Sequence, residues 1–107
     1  MRMIPRPNRR LGENRVERVT AEEAEILALR ALGHLAQDQQ RIQRFLDLTG
    51  IDPGSLRALA SRPDFLLAVL DHLASDEEAL LQFCTETITA PEKIAAARRA
   101  LGGGDAM

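Results

Sequence analysis

Apolar residues recur at three- and four-residue spacing along most of this chain, the period of helices with one buried side. Thr20 with Glu23 three positions on matches a capping box, and Glu22, Glu23 and Glu25 suit the positive end of a helix dipole. The spacing predicts a first helix from Thr20 to about Ala36, burying Ala24, Leu27, Ala28, Ala31, Leu32 and Leu35 and turning Arg30 and His34 outward. Asp38 is the expected N-cap of a second helix. Ile42, Phe45 and Leu46 face inward there, Arg41, Gln43 and Arg44 face water, and Gly50 ends the helix. Asp52-Pro53 signals another start, for a short third helix carrying Leu56 and Leu59. Pro63 opens a fourth that lasts to about Ala74. Ser75 with Glu78 predicts a capping box for a fifth, with Leu80, Leu81, Phe83, Cys84 and Ile88 on its apolar side. Pro91-Glu92 starts a sixth that ends near Leu101 at Gly102 to Gly104.

The fourth helix stands apart. Between Phe65 and Leu73, Phe65, Leu66, Leu67, Val69, Leu70 and Leu73 cover more than half of its circumference. A surface helix carries one apolar stripe, so this one is expected to be wrapped by the others. The register also holds an internal match. At an offset of 38 residues, His34 falls on His72, Leu35 on Leu73 and Asp38 on Asp76. Phe45 then falls on Phe83, Thr49 on Thr87 and Pro53 on Pro91. Leucine coincidences are cheap in such a chain, whereas His, Asp, Phe and Pro in one ungapped frame are not. The frame points to two pseudo-repeated three-helix units, about 27–60 and 65–98, that bury each other's apolar faces. Gly50 falls on Ile88, so the fifth helix is expected to end differently from the second.

Composition narrows the class. Leu and Ala dominate the apolar residues, and the chain has no Trp or Tyr. Sheets draw on β-branched and aromatic side chains, so the expected fold is all-α, a compact bundle of five to six short helices. The expected organisation is a flexible basic arm at 1–19, a helical domain at 20–101 and a disordered tail at 102–107. Net charge is −2, unevenly spread. Residues 1–19 hold Arg2, Arg6, Arg9, Arg10, Arg15 and Arg18 against Glu13 and Glu17, a balance of +4; the remaining eight basic and fourteen acidic residues leave −6. A single cysteine cannot form an internal disulfide. No apolar run approaches the ~20 residues of a membrane span, and no apolar segment follows the arginines as a secretory signal requires. A cytoplasmic protein without membrane contact is expected.

Candidate chemistry is sparse. His34, His72 and Cys84 lack the close ligand spacing of a zinc site, and no cofactor is expected. The histidines read as helix-end groups near terminal carbonyls, and Cys84 beside Phe83 as a small core hydrophobe. Asp38, Asp52, Asp76 and Glu92 all sit at helix starts, where capping accounts for them. Gly102 to Gly104 has no following helix and no Lys-Ser or Lys-Thr, so it is not a phosphate loop. The sequence therefore suggests no enzyme and no catalytic or metal residues. A recognition helix is not expected at Phe65 to Leu73, which is too apolar and carries Asp71.

From about Glu25 to Gly103 the chain resembles a family of short alphaproteobacterial proteins classed as a domain of unknown function. The resemblance rests on Arg44-Phe45-Leu46, Leu48-Thr49-Gly50, Asp52-Pro53 with Leu56, Phe65-Leu66, Ala68-Val69-Leu70-Asp71 and Ala95-Ala96-Ala97-Arg98. It implies a shared helical fold and a small bacterial protein, and it brings no catalytic residues with it. The leading expectation is a non-enzymatic protein-interaction module, an adaptor or regulator with a protein partner. The alternative is nucleic-acid or anion contact through Arg2, Arg6, Arg9, Arg10, Arg15 and Arg18 of the arm. Leu29, Leu48 and Leu81, off the main stripes, are candidates for self-association, giving a monomer or weak homodimer.

Overall fold

In the computed structural model, residues 18–102 are described; the arginines up to residue 15 and the tail from residue 103 lie outside the described residues. Six α-helices follow one another, with a single 3-10 turn and no strand among the described residues. They are α1 (Ala21–Ala36), α2 (Gln39–Thr49), α3 (Leu56–Leu59, preceded by the 3-10 turn Pro53–Ser55), α4 (Pro63–Ala74), α5 (Glu77–Thr87) and α6 (Pro91–Ala100).

Local chemistry sets these boundaries. The Thr20 hydroxyl accepts from the Glu23 N–H at 3.0 Å, and the Glu23 carboxylate accepts from the Thr20 N–H at 3.0 Å, closing the capping box of α1. Asp38 caps α2 by accepting from the Gln40 and Arg41 N–H groups at 3.0 and 3.3 Å. The expected Ser75–Glu78 box does not form. Asp76 is the N-cap of α5, accepting from the Ala79 N–H at 3.2 Å, while the Ser75 hydroxyl donates back to the His72 carbonyl and closes α4. Asp52 stands before the 3-10 turn but makes no side-chain cap. Pro53, Pro63 and Pro91 begin their elements where a missing N–H is harmless.

The core is one cluster drawn from all the long helices. Phe65, Leu66, Val69, Leu70 and Leu73 of α4 are buried, as expected, and α4 packs on α1, α5 and α6. However, α1 is as central, lying against α4, α6 and α2, and its small residues Ala24, Ala28 and Ala31 let neighbours approach closely. Phe45 and Phe83 are fully buried within this cluster. Burying a ring of that size stabilises the fold by about 1.5–3 kcal/mol.

Positions 38 residues apart share local geometry at several points. Asp38 and Asp76 cap α2 and α5. Thr49 Oγ1 donates to the Phe45 carbonyl at 2.8 Å, and Thr87 Oγ1 to the Phe83 carbonyl at 2.7 Å. The rings cross between halves: His34 meets Phe83 edge to face at 5.5 Å, and His72 meets Phe45 at 5.1 Å. Neither histidine is simply a helix-end group, and His34 is turned inward, with only 10 % of its side chain exposed. The helix ends match as well, against expectation. Gly50 closes α2 at φ +73°, and Ile88 closes α5 in the same left-handed region at φ +54°.

The third elements differ. Pro53 to Leu59 forms a turn and one helical turn with no buried residue, whereas α6 runs ten residues and buries Ile94, Ala96 and Ala97. Arg98 Nε on α6 also reaches Asp71 Oδ1 on α4 at 2.7 Å.

Candidate functional site

Two polar cavities border the start of α2, and one of them also borders the start of α5. The first, of about 230 Å3, has the buried Leu35 and Leu73 in its wall. Its polar lining is Asp38 and Asp76 from the two helix starts, Gln40, Arg41 and Arg44 from α2, and His72 from the last turn of α4. The second, of about 220 Å3, is lined by His34, Gln37, Asp38, Arg41, Gln82 and Glu86. Asp38 and Arg41 border both.

Arg41 is therefore a shared wall, not the water-facing residue expected from its register. Its Nε lies 3.5 Å from Asp38 Oδ2, which places the guanidinium against the cap of its own helix. Its Nη1 is buried and has no hydrogen-bond partner among the described residues. A desolvated donor on a charged group without an acceptor costs about 1–3 kcal/mol or more. His72, beside the same space, is held below the ordinary imidazole value of 6.5 by burial; Asp76 pulls it up and Arg44 pushes it further down. At neutral pH it carries one ring N–H donor and one acceptor nitrogen.

The second cavity holds a carboxylate supplied by the chain. His34 Nδ1 lies 3.3 Å from Glu86 Oε1, and Gln82 Nε2 donates to Glu86 Oε2 at 3.4 Å. Shifted by 38 residues, this trio becomes His72, Arg44 and Leu48.

A different feature marks the outer side. Ile88 is 93 % exposed, and Ile26, Leu29 and Leu81 are about half exposed. Leu81 is on α5, and Ile88 is the residue that ends it. Ile26 shares a cavity of about 170 Å3 with Arg30, Lys93 and Thr89, the residue that follows Ile88. Leu48, 70 % exposed, stands near the end of α2, away from this group in sequence. Sequence reasoning placed Ile88 on the apolar side of the fifth helix and overlooked Ile26. The Ile88 backbone turns left-handed, and the side chain leaves the buried stripe with it.

The remaining candidates are quiet. Arg18 is exposed just before α1, and Arg2, Arg6, Arg9, Arg10 and Arg15 lie outside the described residues. Cys84 is buried, and its thiol is pushed up by burial and then by the charge of Glu92, which opposes thiolate formation. Among the described residues, no group of three or more His, Cys, Asp or Glu side chains could hold a metal ion. No described helix is long and apolar enough to cross a membrane.

The model of the family described as Protein of unknown function (DUF3572) matches residues 21–104. The chain belongs to that family. The DUF3572 match begins at the first residue of α1 and takes in all six helices and both cavities, leaving the arginine-rich leader outside. No curated protein and no solved structure matches the chain.

Proposed function

We propose that this DUF3572 domain is a non-enzymatic protein-interaction module, an adaptor or regulator, that meets its partner through exposed apolar residues, Ile88 first among them, with Ile26 and Leu81. The observation that carries the reading is Ile88. A β-branched residue in the left-handed region costs roughly 1–2 kcal/mol, and here the same side chain is almost wholly exposed. Glycine serves the equivalent position in α2 without that cost. An expensive residue that contributes nothing to the core fits a contact surface better than a folding role. Arg30 and Lys93 beside Ile26 suit a partner segment that carries acidic residues among apolar ones.

The test compares the whole chain with Ile88→Asp in a pulldown from the native host, with and without nuclease. A protein retained by the parent, indifferent to nuclease and lost with Ile88→Asp, while helicity is unchanged, supports the reading. Partners kept equally by both chains overturn it.

The charge contrast between leader and body supports a second reading, a nucleic-acid contact made by the arginines between Arg2 and Arg18. That reading expects binding that falls steeply with salt and disappears when residues 1–18 are removed.

A further inference from the structure

Each histidine of the pair lines a cavity together with a polar residue from the other half, and one helical turn beyond that residue stands a third. Around His34 these are Gln82 and Glu86 of α5, and the Glu86 carboxylate lies within reach of both His34 and Gln82. Around His72 the equivalent positions are Arg44 and Leu48 of α2. His72 and Arg44 line their cavity as His34 and Gln82 line theirs, but leucine replaces the glutamate, and Leu48 is 70 % exposed and outside the cavity wall. The donors have also grown stronger. Arg44 offers a charged fork where Gln82 offers one amide, and the Arg41 side chain borders this space as it borders the other.

We propose that the cavity between α2 and α5 binds a small carboxylate-bearing molecule, whose carboxylate takes the role beside His72, Arg44 and Arg41 that Glu86 plays beside His34 and Gln82. Two carboxylates already border the space, and both are engaged. Asp38 accepts from two backbone N–H groups and faces Arg41, and Asp76 accepts from the Ala79 N–H. The Glu86 carboxylate lines the second cavity together with Asp38 and Arg41, so a further carboxylate is accommodated in a space those two residues border. A volume of about 230 Å3 holds a ligand of a few heavy atoms, not a nucleotide or a peptide. The inference is independent of the apolar contact surface, which lies elsewhere.

The test is a titration of the 15N-labelled full chain with sodium acetate, followed at the His72 ring nitrogens and Arg44 Nε, with sodium chloride at matched ionic strength as control. Acetate should produce saturating shifts at both residues that chloride does not. Leu48→Glu supplies the missing internal carboxylate on an exposed position and should reduce acetate affinity about tenfold or more. Arg44→Gln, which copies Gln82, should weaken it to a similar degree, since one charge-assisted hydrogen bond is worth about that factor. Shifts no larger than those with chloride overturn the proposal, as does equal acetate affinity for the parent and Leu48→Glu. Saturable binding of inorganic phosphate without binding of acetate would overturn the carboxylate assignment.

Discussion

The starts of α2 and α5 are built alike and finished differently. Both are capped by aspartate, both bury one phenylalanine under a histidine from the other half, and both return a threonine hydroxyl to that phenylalanine's carbonyl. They diverge where single residues change: Arg41 against Ala79, Leu48 against Glu86, Gly50 against Ile88. The shared features rest on buried rings and short-range hydrogen bonds, which tolerate little variation. The differences fall at the cavity wall or on the outer surface, where a substitution alters chemistry without disturbing the bundle.

The largest effects should come from the crossed rings. Phe45→Ala and Phe83→Ala should each cost about 3–5 kcal/mol in denaturant melts. Phe45 meets Phe65 as well as His72, whereas Phe83 meets only His34 among the aromatic pairs, so Phe45→Ala should be the worse of the two. Equal costs would show that the second ring contact at Phe45 adds nothing. The caps come next. Asp38→Ala should cost about 1–2 kcal/mol and Asp76→Ala about 1, because Asp38 accepts two N–H groups and holds Arg41. A reversed order would assign the larger role to the cap that carries no ion pair.

Ile88→Gly should move the other way, raising stability by up to about 1 kcal/mol as the left-handed strain is relieved. A loss of stability there would mean that Ile88 supports the fold, and the contact-surface reading would lose its main observation. The subtlest comparison is with pH. The folded value of His72 lies below 6.5, so the unfolded chain takes up this proton first. Stability should therefore fall as pH drops from about 6.5 through the lower folded value, and His72→Gln should flatten that part of a melting-temperature profile. Asp76 and Arg44 act on the group in opposite senses, and an unchanged slope in His72→Gln would show that burial is not shifting it.

Much of the fold was legible because its signals are local. Thr20 with Glu23, Asp52-Pro53, Pro63 and Pro91 each act within one turn, and the helix limits they announce are the ones formed. Ser75 misled because Ser75–Glu78 and Asp76–Ala79 offer overlapping caps, and only the second lets Ser75 close the preceding helix. Ile88 misled because a left-handed end is expected of glycine. The cavities were not legible as such, since Arg41 and His34 sit at positions that face water on an isolated helix and are covered only by the neighbouring half. The one hint was the pairing of His34 with His72 and Phe45 with Phe83 in a single frame.

The crossed rings also constrain how the chain can be divided. A fragment ending near Ser61 keeps His34 but loses Phe83, and keeps Phe45 but loses His72. In such a fragment both remaining groups lose the partner that covers them. The join between the halves thus does for one polypeptide what a twofold axis does for two, raising the local concentration of complementary faces so far that assembly no longer depends on how much protein is present.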